Sequence, residues 1–242
     1  MIDQPPARAL AVMAHPDDIE FMAGAAVARW AAAGTELHYL LLTDGDSGSR
    51  DPEMSRERLI WLRRAEQRRA AELMGARSVG FLGLRDGRLV ASVELRLAIA
   101  RAIRSVRPDA VITSDPRFYY SDEYINHPDH RAAGEATLAA VMPLANTRLA
   151  APELLEEGLE PHDVATVYLA APAEANYWVA VGEADVERQI AAMGAHATQV
   201  GGWDFAPMIQ RFLGDAAAGA RASGLDYPLA QAFRRIRLRQ PE

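Results

Sequence analysis

Two residue types are missing from this 242-residue chain altogether. It has no cysteine, which excludes disulfides, thiolate metal ligands and a cysteine nucleophile. It has no lysine either. All 26 basic residues are arginine, so a lysine Schiff base and a phosphate-gripping P-loop lysine are excluded as well. Abundant alanine and arginine without lysine is the kind of bias that genomic base composition imposes. No apolar run approaches the length needed to span a bilayer. The opening Met1-Ile2-Asp3-Gln4-Pro5-Pro6 has neither the basic region nor the apolar core of a signal peptide, so a cytoplasmic protein is expected. An excess of positive charge is lacking too: the formal net charge of -7 argues against nucleic acid or an anionic membrane as partner.

What is present reads as one α/β domain spanning residues 1–242. Short apolar runs at Leu10–Ala14, Leu37–Thr43, Val79–Leu82, Ala110–Ser114, Val164–Ala170 and Tyr177–Val181 predict buried strands. Between them, helices are expected over Ile19–Ala33, Ser55–Met74, Val93–Val106, Pro128–Met142 and Ala184–His196, with Gly34 and Gly75 as stops. The tail mixes helix with a short last strand near Ile236. This alternation predicts a Rossmann-like, doubly wound, mostly parallel sheet with helices on both faces. The Pro- and Glu-rich segment Pro143–Asp163 is expected to be an excursion or flap.

Two tetrapeptides stand out. His15-Pro16-Asp17-Asp18 ends the first apolar run, and His127-Pro128-Asp129-His130 opens a later helix. Helix initiation accounts for part of each, because proline suits the first helical position and acidic residues suit the first turn. It gives no role to His15 or to adjacent carboxylates. The carboxyl end of a first strand is where open α/β sheets place ligands. The two histidines of the second motif, three apart across a helix start, share one face. Imidazoles and carboxylates so placed form the inventory of a hydrolytic metal site: N/O ligands, an open position and a nearby base. Without cysteine, that donor set suits zinc but also iron, manganese or cobalt.

Together, Ala14-His15-Pro16-Asp17-Asp18 and His127-Pro128-Asp129-His130 resemble the hallmark motifs of the PIG-L/LmbE family of zinc-dependent N-acetylglucosaminyl deacetylases. The resemblance extends over most of the chain, through the Thr43-Asp44-Gly45 turn, Arg63-x-x-Glu66 and the late His196-Ala197-Thr198-Gln199. It implies an LmbE-like fold and Zn2+, or Fe2+ or another divalent metal, held by His15, Asp18 and His130. It also implies that Asp17 is the base activating water, with His127 stabilising the oxyanion or protonating the leaving amine. Asp129 would orient the His127 imidazole, and Arg63 would bind substrate.

Several residues stay open at this level. Arg63 lies on a helix that also carries Arg56, Arg58, Arg64, Arg68 and Arg69, most of which must be solvated. Glu66 is read as a partner of Arg63 or as a plain surface charge. Asp86, in the turn after the third strand, could bind a sugar hydroxyl or only form the turn. His196 is expected to be a supporting residue and not a ligand. The chain departs from the family pattern at Ile19, which displaces the usual glutamate to Glu20, and at Thr198, where serine is common. Ile125 stands where a tyrosine general acid is often proposed, leaving Tyr124 or Tyr120 to substitute.

The expected substrate is a small amino-sugar conjugate, deacylated by metal-activated water. Amide cleavage in a mycothiol-type thiol conjugate is an alternative, as are a pseudoenzyme and a non-catalytic Rossmann-like ligand-binding module. A glycine-rich phosphate loop, which that last alternative needs, is absent after the first strand. Oligomeric state is left open, a homo-oligomer being compatible with the sequence. Specificity is expected from three segments: 44–56, 118–124 and the 143–163 excursion.

Overall fold

Strand β1 (Arg8–Met13) is apolar at every position after Arg8 because both of its faces are covered. Ala9, Ala11 and Met13 enter one core, and Leu10 and Val12 enter the other. In the computed structural model, which describes residues 4–239, β2 (Glu36–Thr43), β3 (Ser78–Leu84), β4 (Ala110–Ser114) and β5 (Thr166–Ala170) continue a parallel sheet around β1. Residues 1–3, on which part of the expectation of no signal peptide rests, lie outside the described residues, as do 240–242. The strands β6 (Tyr177–Ala180) and β7 (Ala230–Arg237) complete the sheet in antiparallel pairing, giving the order β3-β2-β1-β4-β5-β7-β6.

The helices are α1 (Asp18–Ala32), α2 (Arg56–Met74), α3 (Val93–Val106), α4 (Pro128–Ala139), α5 (Pro152–Glu156), α6 (Glu183–Gly194), α7 (Ala197–Val200) and α8 (Ala206–Ala222). α1, α2, α6 and α8 pack one face through Ile19, Met74, Val186 and Leu213. α3, α4 and α5 cover the other through Ile99, Ala136 and Leu154. This is the doubly wound, mostly parallel architecture that the alternating pattern predicts. Local chemistry sets the helix ends. Ser55 caps α2 by accepting from the Arg58 amide at 3.2 Å, and Gly75 stops it in the left-handed region at φ 77.

The expected helix Pro128–Met142 stops at Ala139, because Met142 leaves helical geometry (φ -138, ψ 118) ahead of Pro143. A second difference concerns function. The 143–163 excursion does not frame the carboxyl edge of the sheet. Arg104, 2 % exposed near the end of α3, donates to the carbonyls of Leu144, Ala145, Thr147 and Leu159 at 2.7–3.1 Å. His162 meets the Pro108 carbonyl at 2.8 Å. The segment is thereby bound at the amino end of β4, opposite the ends from which His15 and the loop to His127 leave. No described helix is long and apolar enough to cross a membrane.

Both motifs follow from strand order. β1 lies between β2 and β4, so chain connections diverge there and leave a crevice at the carboxyl ends. His15 emerges from β1, the Thr43–Asp46 turn from β2, and the segment leading to His127 from β4.

Replacing Arg104 with leucine is expected to strand the four carbonyls and cost about 3 kcal/mol of stability, given the penalty for unpaired buried polar groups. Urea unfolding would read this as a lower midpoint, while divalent-metal affinity stays unchanged. A loss below about 1 kcal/mol would show that the excursion is held by apolar packing alone.

Candidate metal centre and its cleft

The two tetrapeptides meet. His15 Nδ1 lies 3.4 Å from Asp18 Oδ2 and 3.3 Å from His130 Nε2, and His130 Nε2 lies 3.1 Å from Asp18 Oδ1. Asp18 starts α1 and His130 sits in the first turn of α4, so two helix starts and one strand end deliver the three side chains. All three are buried.

The trio fits a divalent cation. Tetrahedral zinc with bonds of about 2.0–2.1 Å holds its donors about 3.3–3.4 Å apart; the approaches here are 3.1–3.4 Å, with His15 facing Oδ2 of Asp18 and His130 facing Oδ1. The electrostatics agree. Burial alone pushes the His15 imidazole down, but Asp18, Asp129 and Asp86 outweigh it and hold it well above its ordinary value. Burial opposes ionisation of Asp18, yet His130 and His15 hold its carboxyl well below the usual range. A field that keeps a proton on a buried imidazole also favours a bound cation.

A second group surrounds the far edge of the His15 ring. His15 Nε2 lies 3.1 Å from Asp86 Oδ1 and 3.4 Å from Asp129 Oδ2. Ligand atoms of His15, His127 and His130, and likewise of His15, Asp86, His127 and Asp129, fall within 4.8 Å of one another, so His127 and this second group also have metal-ligating composition. Both oxygens of Asp129 and one of Asp86 accept backbone amides, whereas Asp18 accepts one amide, that of His15, on Oδ2. Asp129 accepts from the amides of Gly87 (2.7 Å) and Leu89 (3.0 Å), and Asp86 accepts from the Ser47 amide (3.2 Å). Both carboxylates suit the role of acceptor for the His15 Nε2 proton, which leaves Nδ1 free to ligate.

Asp129 therefore differs in placement from the role the resemblance implies. Its carboxylate turns to His15 and not to His127. What it offers His127 is a backbone amide, which donates to His127 Nδ1 at 3.3 Å and caps α4. With Nδ1 accepting, the His127 proton sits on Nε2, 3.9 Å from Asp86 Oδ1. Burial and the neighbouring His15 charge lower the His127 pKa, so this half-exposed ring is neutral near neutrality. Asp86 is likewise engaged with His15, where the sequence left it a sugar contact or a turn former.

Asp17 stays outside the trio. It adopts φ 98, a left-handed conformation rare for a residue with a side chain. Three contacts hold it there. Gln67 Oε1 accepts from its amide at 2.9 Å, Arg63 Nη2 donates to its Oδ2 at 2.9 Å, and the same nitrogen bonds the Pro16 carbonyl. Pro16 thus precedes the cap of α1 and does not open the helix, whereas Pro128 does open α4. Arg63 is 3 % exposed and its other terminal nitrogen bonds the Gly45 carbonyl. It lines the cleft with both terminal nitrogens bound to protein, while its buried Nε has no hydrogen-bond partner. Gly45 must be glycine, because a Cβ there would collide with this guanidinium. Burial pushes the Asp17 carboxyl up to about 6, Arg63 opposing and Asp18 reinforcing the shift.

Beneath Asp17 the polar chain continues inward. Gln67 donates to Glu20 Oε1 at 3.1 Å, and Glu20 Oε2 lies 3.4 Å from His196 Nε2. All three residues are fully buried. Glu66 does not pair with Arg63: partly buried, it binds the Thr198 amide and hydroxyl at 2.9 and 2.6 Å. Gln67 lies four residues after Arg63 on one helix face, a spacing that could have marked it. Asn126, which bonds His130 Nδ1 at 2.9 Å, carries no such signal. Of the tyrosines, Tyr124 lines the cleft, whereas Tyr120 is 74 % exposed and outside its lining.

The cleft has a volume of about 270 Å³ and a polar wall formed by the trio, Asp17, Arg63, Asp86, Tyr124, His127 and Gln199. A larger groove of about 490 Å³ lies behind the 85–92 loop. Its walls are mainly Leu82, Leu84, Leu89, Val90 and Leu95, with no histidine, so the smaller cleft carries the chemistry.

Residues 10–141 match the family described as PIG-L, GlcNAc-PI de-N-acetylase. The chain is 32 % identical over 192 residues to diacetylchitobiose deacetylase of Thermococcus kodakarensis, covering 79 % of this chain and 70 % of that one. It is 30 % identical to the 1D-myo-inositol 2-acetamido-2-deoxy-alpha-D-glucopyranoside deacetylase of Geodermatophilus obscurus, covering 81 % and 84 %. A solved structure of N,N'-diacetylchitobiose deacetylase from Pyrococcus horikoshii, complexed with its inhibitor MPG, superposes with a TM-score of 0.86 at 25 % identity, covering 98 % of this chain and 87 % of that one.

Gln67→Leu would leave the Asp17 amide and one Glu20 oxygen unpaired in a dry interior. The expected cost is about 2–4 kcal/mol of unfolding free energy, from the penalty on two orphaned polar groups. Denaturant titration checks it, and a variant as stable as the parent would mean that Asp17 holds its conformation unaided.

Proposed function

The chain belongs to the PIG-L family, and on that footing we propose that it is a metal-dependent N-deacetylase removing an N-acetyl or related N-acyl group from a small amino-sugar conjugate. We propose residues 1–242 as one catalytic domain, zinc as the metal, and the cytoplasm as its place of work. The observation that carries the reading is the convergence of His15 Nδ1, Asp18 and His130 Nε2 at 3.1–3.4 Å, with the Asp17 carboxylate beside them and outside the set.

In this reading His15, Asp18 and His130 hold the cation. When bound, it supplies Lewis-acid activation of water and of the scissile carbonyl. Asp17 takes the proton from the attacking water. Burial raises its carboxyl to about 6, which makes it a stronger base than an ordinary aspartate. Arg63 is assigned to aiming that carboxylate. Asp129 and Asp86 accept a hydrogen bond from His15 Nε2–H and so direct Nδ1 to the cation. His127 presents Nε2–H to the cleft, where it hydrogen-bonds the carbonyl oxygen as charge develops, and the proton that Asp17 takes from water passes to the leaving amine. The polar walls suit a hydroxylated ring better than an apolar ligand. A mycothiol-type conjugate would use the same groups, and it is the deacetylase relative of Geodermatophilus obscurus that keeps inositol-linked glucosamine conjugates in the substrate panel. A nucleotide-binding module is disfavoured, because His-Pro-Asp-Asp occupies the turn after β1.

Acetate release from N-acetylglucosaminyl conjugates tests the reading. Asp17→Asn, which tolerates the left-handed backbone, is expected to lower kcat about 10²- to 10⁴-fold while metal affinity is kept. Undiminished turnover would remove Asp17 as the base. A second expectation concerns the metal. Chelation should abolish turnover and one equivalent of Zn2+ per chain should restore it, whereas full activity in a metal-free preparation would contradict the proposal.

A further inference from the structure

We infer that Asn126 is a positioning residue that ties the metal ligand His130 to the aromatic hairpin forming one wall of the cleft. The inference rests on the reading of His130 as a ligand. Asn126 is 5 % exposed and every polar group it has is used. Its Nδ2 donates to the Phe118 carbonyl at 2.7 Å and its Oδ1 meets His130 Nδ1 at 2.9 Å. Its backbone amide donates to the Tyr119 carbonyl at 2.8 Å, and its own carbonyl accepts from Arg131 at 2.9 Å.

The direction of these bonds follows from chemistry. The Phe118 carbonyl can only accept, so the NH2 end of the amide must face it. The amide oxygen is then what faces His130, and because it can only accept, His130 Nδ1 carries the proton. That fixes the tautomer with Nε2 bare, pointing at Asp18 and His15. The same side chain closes the base of a small hairpin. Tyr120 bridges Ile125, the Ser121 amide donates to the Tyr124 carbonyl at 2.7 Å, and the Phe118 and Tyr124 rings stack at 6.2 Å. Tyr124 reaches the cleft from this hairpin. One amide therefore sets both the orientation of a ligand and the position of the wall against which substrate rests.

The two halves of the amide are separable by substitution. Asn126→Asp keeps an acceptor for His130 but replaces the donor to Phe118 with an oxygen that repels its carbonyl. Asn126→Ala removes both. Zn2+ affinity, measured by competition with a chromogenic chelator, should stay within about threefold of the parent in Asn126→Asp and fall about 10- to 100-fold in Asn126→Ala, the usual effect of losing a ligand's outer partner. KM for an N-acetylglucosaminyl conjugate should rise about tenfold in Asn126→Asp with a smaller change in kcat, as a loosened wall predicts. Unchanged Zn2+ affinity in Asn126→Ala would overturn the inference, as would equal weakening in both variants or an unaltered KM in Asn126→Asp. If Asn126→Ala does not fold, the two readouts on Asn126→Asp decide alone. His130→Ala is the reference: if it leaves Zn2+ affinity intact, the ligand reading has failed and not the role of Asn126. The metal arm needs no substrate, so it stands even if deacetylation is not the reaction.

Discussion

The imidazole of His15 has two nitrogens, and the site is organised around the fact that each faces a different set of groups. Nδ1 meets Asp18 and His130, and Nε2 meets Asp86 and Asp129. One ring cannot serve both sides in the same way. The side that takes its proton fixes the side that offers a lone pair. Asp129 is suited to the first task, because two backbone amides of the 87–89 turn already hold it as an anion. The third strand and its loop thereby support His15, the proposed ligand that leaves the first strand. The strand order β3-β2-β1-β4 permits this meeting, by opening a crevice where connections diverge on either side of β1.

Two adjacent carboxylates come to differ through their surroundings. Asp18 sits between His15 and His130 and is held ionised, whereas shelter from solvent raises the neighbouring Asp17. Adjacency would normally let both reach for the same cation. The left-handed backbone at Asp17 turns its side chain away, towards Arg63, and Gln67 and Arg63 maintain that costly conformation. The glycine of the Thr43-Asp44-Gly45 turn belongs to the same device, since only a residue without Cβ leaves room for Arg63.

Most of the fold was legible because its strands are apolar on both faces and its helices carry their own punctuation, such as Ser55 and Gly75 around α2. Boundaries slipped where tertiary context decided, as at Met142 ahead of Pro143. The excursion after α4 was read as a cleft wall because loops often are. Its actual position depends on Arg104, a buried arginine indistinguishable in sequence from two dozen others. The convergence of His15, Asp18 and His130 was legible because histidine and aspartate repeat at strand-to-helix junctions. The direction in which Asp129 turns was not, since that depends on amides 40 residues away in the 87–89 turn. Asn126 was invisible for a related reason, and Gln67 showed no more than its spacing from Arg63: an amide side chain acquires its role only from the two partners folding brings to it.

Both halves of the His15 environment have the composition of a metal site, and the account stands on the choice between them. Anomalous diffraction at the zinc edge, on crystals grown with one equivalent of Zn2+, tests that choice directly. The account predicts one peak bonded to His15 Nδ1, Asp18 and His130 Nε2, with Asp17 near but unbonded. A peak bonded to His15 Nε2 among Asp86, His127 and Asp129 would contradict it.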